Sequence, residues 1–277
     1  MTFFKVCPFG EWASAVEGVF EFWRQEMPPE AVGHALVGAS ASTSKPADAR
    51  AVRRCLGQVD PVKAAKREIS AFEVLGPQHV NPDFLFSMLG VREPDEGETN
   101  YVEMRFPAEW ADDNGERVAR FALGVARILP HDSGYVSPAL NWSNDAEIDD
   151  SAEDVHRLVF RHLGFDVHDH SQTYLYMGKR CLGARWMVFL GPALAEEVGG
   201  LETLSRALEG ISVTATANGV ALRCSGPPVP GDVNRDDDFS QLRAMAKVLE
   251  PITYFDDEIG FFDDDEEYMR WQRRFLD

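Results

Sequence analysis

Trp186-Met-Val-Phe-Leu-Gly-Pro192 opens the stretch that decides the fold, which runs on through Gly199-Gly200, Asn218-Gly219 and Pro227-Pro-Val-Pro-Gly-Asp232 to Pro251. The apolar run Ala184 to Leu190 reads as a buried strand, followed by a short helix closed by the two glycines and a second helix to Leu208. A strand over Ile211 to Ala217 then turns on Asn218-Gly219 into its mate, Val220 to Cys224. That dipeptide predicts a two-residue turn of the I′ type, with positive φ at both positions. The proline-rich loop leads into a helix from Asp238 to Leu249, which Pro251 stops. No nucleophile, base or ligand cluster interrupts the segment, so it reads as a packing module.

The order of these parts, with Trp186, Phe189 and Leu190 on the strand, Gly199-Gly200 between the helices and Pro230-Gly231-Asp232 closing a PxxGD loop, resembles the bacterial type VI immunity family. Its best-described members protect against effectors that carry a VRR-Nuc nuclease domain. A weaker likeness extends back through Gly134-Tyr135 and the approach to Trp142, as far as Tyr101. The resemblance implies a cytosolic, non-enzymatic protein that binds and blocks one cognate toxin. It transfers no toxin-contacting residue.

Composition agrees with a folded chain. Its 277 residues, 44% hydrophobic with 18 Phe and 6 Trp, are ample for a core. The start, Met1-Thr-Phe-Phe-Lys-Val-Cys-Pro8, holds no sustained apolar run, so neither a secretory signal nor a membrane span is expected there. Cys7, Cys55, Cys181 and Cys224 are scattered without a CxxC pair, which predicts reduced core thiols and a cytoplasmic setting. The net charge is −19, and residues 1 to 90 carry 9 Lys+Arg against 10 Asp+Glu of the chain's 27 and 46, leaving 18 against 36 for the rest. The acidity therefore belongs to the later two-thirds. Such a field repels nucleic acid and anionic membrane and draws in a basic partner, although solubility alone is a competing explanation. Nuclease domains are common basic partners, because they grip phosphates.

Along the chain, Trp12, Val16, Val19, Phe20, Trp23 and Met27 share one helical face that should dock on a sheet, and Pro28-Pro29 ends the helix. Ala39 to Asp48 is the most linker-like stretch, and a short basic helix with Arg50, Arg53 and Arg54 comes after it. Period-two alternation over Phe84, Phe86 and Met88 faces Val102, Met104 and Phe106 in a hairpin whose loop spans Glu93 to Asn100. Asp112 or Asp113 can cap a helix presenting Val118, Phe121, Val125 and Ile128, which Pro130 stops. A strand near Tyr135 to Trp142 precedes a helix that a Ser151/Asp154 capping box opens, burying Val155, Leu158 and Val159 and leaving Arg157 and Arg161 in water. Strands at Thr173 to Met177 and Ala184 to Leu190 then let the second half echo the first. The fold class read from this is α+β: two degenerate β-β-α-β-type halves with helices on one face of a mainly antiparallel sheet, plus an N-terminal helical region. One sheet or two would satisfy the pattern. A single domain over 1–277 is expected, with a near-neutral part (1–90), an acidic body (91–255) and an acidic C-terminal helix (256–277) docked through Tyr268, Trp271 and Phe275.

Candidates for chemistry are few. His156, His162, His168 and His170 cluster with Asp166 and Asp169, but zinc needs three or four converging ligands, and only His168 and His170 can share a face. His131-Asp132-Ser133 sets triad residue types side by side, where they cannot aim at one another across a pocket, so a turn is expected. No catalytic residue, metal site or cofactor is predicted. The acidic runs Asp145, Glu147, Asp149, Asp150, Glu153, Asp154 and Asp232, Asp236, Asp237, Asp238 exceed what helix capping needs. Of these, Asp145, Glu147, Asp149, Asp150, Asp236, Asp237 and Asp238 are the candidate contacts for a basic toxin, with solvated caps and a divalent-ion site as competing readings. The function expected is stoichiometric inhibition of a secreted toxin, with no nucleic-acid or membrane partner. A metal-dependent enzyme built on His162 to His170 and an effector adaptor or chaperone are the alternatives.

Overall fold

The computed structural model describes residues 1–77, 82–111, 115–140, 148–167, 170–255 and 265–277, with the side chains of 148–153, 171 and 265 left aside. The chain begins with strand β1 (Thr2–Lys5), helix α1 (Phe9–Glu26), strands β2 (His34–Val37) and β3 (Lys45–Pro46), and short helices α2 (Ala49–Leu56) and α3 (Pro61–Ala64). It continues with β4 (Ile69–Leu75), β5 (Leu85–Val91), β6 (Asn100–Arg105), α4 (Glu116–Ile128), β7 (Ser133–Val136), α5 (Ile148–Arg161) and α6 (His170–Thr173). The last part holds β8 (Met187–Leu190), α7 (Pro192–Glu197), α8 (Gly200–Ala207), β9 (Ser212–Thr216), β10 (Gly219–Arg223), α9 (Ser240–Leu249) and α10 (Asp265–Gln272). Among the described residues no helix is long and apolar enough to cross a membrane.

The named strands form one continuous sheet in the order β3-β2-β4-β5-β6-β1-β7-β8-β10-β9, and every pairing in it is antiparallel. The α+β class is therefore met by a single sheet, with β1 near its middle. The N-terminal region supplies helices α1 to α3 and also five of the strands, β5 ending one residue beyond it, so the near-neutral and acidic parts share one ladder. Period-two alternation sorts side chains to opposite faces. Phe3, Phe72, Phe86, Met88, Val102 and Met104 enter the main core, whereas Phe4, Tyr101 and Tyr135 join Met177 and Leu182 in a smaller cluster.

Helix α1 forms for the reason its periodicity gives. Phe9, Trp12, Val16, Val19, Phe20 and Trp23 are all buried on one side. Phe20 meets Phe72 and Phe86 with ring centroids at 5.0 Å, and Trp23 meets Phe86 at 5.6 Å. A third apolar cluster lies apart from the main core and joins Val155, Val159 and Val167 to Tyr268 and Trp271, so the C-terminal helix docks through its aromatic face. Arg274 is buried beneath it, 4.0 Å from the Trp271 ring and donating to the carbonyls of Leu163, Trp271 and Phe165.

Five local expectations change. The stretch Thr173 to Met177 is no strand: α6 and a turn occupy it, because Met177 and Tyr174 pack onto Phe4 and Tyr101 and that burial overrides local β-propensity. The echo of the first half therefore lacks that strand. Strand β7 stops at Val136, and Trp142 lies outside the described residues. Helix α5 begins at Ile148, which places Ser151 within it and not at its cap. Helix α4 takes Gly115, at φ +70°, as its N-cap, while Asp112 and Asp113 lie outside the described residues. In the β9–β10 hairpin Gly219 pairs with Thr216, so Ala217 and Asn218 form the loop. Asp236 is the one described non-glycine residue at positive φ, so the turn is not of the I′ type. Asn218 instead donates its side-chain amide to the Ala126 carbonyl of α4 at 2.8 Å.

Candidate functional site

The residues of the sequence motif are used up by internal contacts. Trp186 donates its indole N–H to the Gly226 carbonyl at 3.0 Å and carries the Arg223 guanidinium 5.3 Å from its ring. Phe189 and Leu190 are fully buried in β8, with Phe189 5.0 Å from Phe3. Gly199 and Gly200 take φ of +93° and +74° where α7 gives way to α8, a conformation that costs glycine little. Pro230, Gly231 and Asp232 together receive the end of α5. The Gly164 N–H donates to the Pro230 carbonyl at 2.8 Å, His162 Nδ1 donates to the Gly231 carbonyl, and Arg161 forks onto the Asp232 carboxylate with Nη2–Oδ2 at 2.7 Å and Nε–Oδ1 at 3.1 Å. Arg161 is thus paired, not merely hydrated. Its hydrogen bonds, helped by the Asn234 N–H, hold Asp232 down at about 2.

Anchored in this way, the loop projects its next residues into solvent. Asp236, Asp237 and Asp238 are exposed, and so are Val229 at 61% and Val233 at 38%. Asp237 accepts the Asp232 N–H at 2.8 Å, and Asp238, just before α9, accepts the Ser240 N–H at 2.7 Å. Each carboxylate keeps acceptor capacity beyond these bonds. Beside them opens a cleft of about 350 Å³ whose lining includes Trp186, Pro227, Val229, Asp237, Asp238 and Phe239. Of the other predicted contact residues, Asp149 and Asp150 fall in the first turn of α5 with undescribed side chains, and Asp145 and Glu147 lie outside the described residues.

A second polar feature crosses the opposite face of the sheet. Register places Glu73, Ser87, Glu103, Thr2 and Tyr135 in one row over five adjacent strands. Ser87 donates to Glu73 at 3.3 Å, Arg105 to Glu103 at 2.6 Å, and Tyr135 to Asp166; His170 Nε2 lies 3.0 Å from both Thr2 Oγ1 and the Tyr135 hydroxyl. Arg185 reaches Asp166 at 3.4 Å, with both groups almost fully buried. Burial, then the neighbouring Glu103, raises the Glu73 carboxyl above its usual range. At Glu103 burial works upward as well, but the Arg105 guanidinium, with His170, outweighs it and keeps that acid low. Burial and Asp166 push the Tyr135 phenol well above its ordinary value. The chamber over this row has a volume of about 40 Å³, room for a water or two and not for a substrate. Local sequence patterns do not show this row; its only trace is a lone polar residue among apolar ones on that face of β4 and β5, Glu73 and Ser87, with Glu103 and Arg105 in β6.

The described histidines of the 156–170 stretch do not converge. His156 bonds Glu267 at 2.8 Å, His162 holds the motif loop, His170 belongs to the buried row, and His168 lies outside the described residues. Among the described residues no group of three or more His, Cys, Asp or Glu could hold a metal ion. In the 131–133 segment the side chains diverge: His131 Nδ1 donates to the Leu129 carbonyl, Asp132 pairs with Lys5 at 2.7 Å, and Ser133 donates to the Arg180 carbonyl. Burial lifts the Cys7 thiol to about 11 and those of Cys55 and Cys224 to about 12, so none of the three is an activated nucleophile.

This geometry has counterparts among known proteins. The model of the TsiV family, described as type VI immunity for VRR-NUC, matches residues 40–275. Among solved structures, the chain is similar to the Pseudomonas aeruginosa T6SS protein PA0821, with a TM-score of 0.78 at 17% identity, over 99% of this chain and 80% of that one. At that identity the likeness concerns the fold. No curated protein matches the chain.

Proposed function

We propose, from the premise that the chain belongs to the type VI immunity family for VRR-NUC, that it protects its host by binding one cognate VRR-NUC effector and occluding it stoichiometrically, without turnover. The whole chain acts as a single immunity domain, in the cytoplasm, where an incoming nuclease would meet its substrate. The observation that carries this reading is the display of Asp236, Asp237 and Asp238 beside a cleft, on a loop that the Arg161–Asp232 pair fixes to the body. A nuclease must present cations to phosphate, and exposed carboxylates on a rigid loop can occupy those cations in its place. Asp145, Glu147, Asp149 and Asp150 extend the same acidic character in our reading. The buried row around Glu103 and Tyr135 serves to hold the sheet's second face together, since its chamber admits no substrate.

Two measurements test the proposal together. Cells that express the toxin domain from the neighbouring reading frame should survive only with this protein present, and the two chains should purify as a 1:1 complex. The association rate should fall steeply between low and physiological salt, because the steering field is screened beyond roughly 8–10 Å. Failure to rescue overturns the function, and a salt-insensitive association rate overturns the electrostatic part.

A further inference from the structure

We infer that the cleft beside the PxxGD loop is a receptor for one arginine side chain, presented by the basic partner. This deepens the reading above and rests on it for the identity of that partner. At about 350 Å³ the cleft sits near the lower end of the range for ligand sites, roughly 300–1,000 Å³, enough for one long side chain but not for a nucleic-acid strand. Its lining combines apolar residues, Pro227, Val229 and Leu242 among them, with the polar Ser225 and Gln241, and the exposed Asp237 and Asp238 add two carboxylates. A mixed lining with apolar stretches beside carboxylates complements a side chain that is itself aliphatic along its stem and cationic at its end. The one cation among the described lining residues, Arg185, is almost fully buried and paired with Asp166, so it does not offset these carboxylates.

Arginine fits better than lysine for two reasons. Its guanidinium is less strongly hydrated, and its planar fork can take two carboxylate oxygens at once. The chain already uses this pairing elsewhere: Arg161 forks onto Asp232. The loop also arrives preorganised. Asp237 and Asp238 are held by the Asp232 and Ser240 N–H groups, so little ordering remains to oppose binding.

The test needs no toxin. Arginine blocked at both ends, as its N-acetyl methylamide, is titrated into the intact isotope-labelled protein, with the uncharged citrulline counterpart as control. The Trp186 indole and Gln241 amide signals should shift saturably with the arginine compound, and citrulline should bind at least about tenfold more weakly, as expected when a charge-assisted pair is lost. Asp237→Asn with Asp238→Asn should weaken arginine binding by a similar factor. Both substitutions keep oxygens that accept the Asp232 and Ser240 N–H groups, so the fold is retained and circular dichroism verifies it. Equal binding of citrulline, shifts mapping away from the cleft, or an undiminished response in the double variant would each overturn the inference. Arginine binding without rescue from the toxin would leave the cleft standing and remove the function; rescue without arginine binding would do the reverse.

Discussion

The hairpin between β9 and β10 gives the sharpest test of how residues here produce structure, because its two key residues have roles that the sequence pattern assigns wrongly. Gly219 has φ +141°, and a Cβ on it would fall within the contact distance of the Leu190 carbonyl oxygen, 2.9 Å from the Leu190 carbonyl carbon and 3.0 Å from Gly191 Cα. Ordinary carbon–oxygen approaches are about 3.3–3.6 Å, so Gly219→Ala must push β10 off β8 or sacrifice a ladder bond. Overpacking of this sort costs about 1–3 kcal/mol and a lost hydrogen bond about 1 kcal/mol, for a total near 3 kcal/mol. Asn218→Gly removes the amide that binds the Ala126 carbonyl at 2.8 Å and should cost about 1 kcal/mol. Under a I′ turn the ranking differs: Asn218→Gly would be neutral or stabilising, and Gly219→Ala would cost only about 1 kcal/mol. Urea denaturation separates the two accounts. With a slope of about 3 kcal/mol/M, Gly219→Ala should lower the midpoint by about 1 M and Asn218→Gly by about 0.3 M. A Gly219→Ala midpoint within about 0.3 M of wild type, or an Asn218→Gly midpoint above it, refutes the close-approach account.

Two further outcomes stem from the Arg161–Asp232 pair and from the separate C-terminal cluster. Asp232 is held at about 2, below its ordinary unfolded value, so the stability it contributes is complete above about pH 4 and drains away as pH falls towards 2. The stability gap between wild type and Asp232→Asn should therefore narrow over that window, and a gap unchanged from pH 5 to its lower end contradicts the pairing. Trp271→Ala deletes the largest side chain of the cluster that joins α5 to α10, a loss of about 3–5 kcal/mol. Hydrogen exchange should accelerate in those two helices while β5 and β6 stay protected, whereas a uniform rise across the sheet would mean that the cluster is not a separate unit.

Legibility in the sequence tracked the length and purity of each periodic signal. The stripe from Trp12 to Trp23, the alternation of Phe86, Met88, Val102 and Met104, and the helices around Gly199-Gly200 are all where their spacing puts them. Strand β1 escaped because four residues offer too little alternation, yet it takes a place near the centre of the sheet. Thr173 to Met177 misled because its aromatic and β-branched residues serve a helical turn packed on Phe4 and Tyr101. The buried row was invisible for a different reason: residues 2, 73, 87, 103 and 135 meet only through strand register, which no local window contains. At the candidate site, Asp236 to Asp238 stood out as an acidic run. The cleft did not, because its lining is gathered from positions between Pro138 and Phe275.

The division of labour within the PxxGD loop bears on where partner choice can reside. Trp186, Phe189, Pro230, Gly231 and Asp232 each spend their hydrogen bonds or their surface on the body of the molecule. Gly231 is at φ +66°, and a Cβ there would also meet the Phe239 ring at 2.5 Å, so this position accepts no other residue cheaply. A substitution among these residues changes the scaffold before it can change a contact. Val229, Val233 and Asp236 to Asp238 have the opposite character: their side chains are exposed, and Asp237 and Asp238 spend only part of their acceptor capacity on backbone N–H groups. On the proposed reading a family can thus keep one scaffold while each member tunes its rim to its own toxin. The side chains that tie the loop to the body, Arg161 and Asp232, are separate from those that it presents.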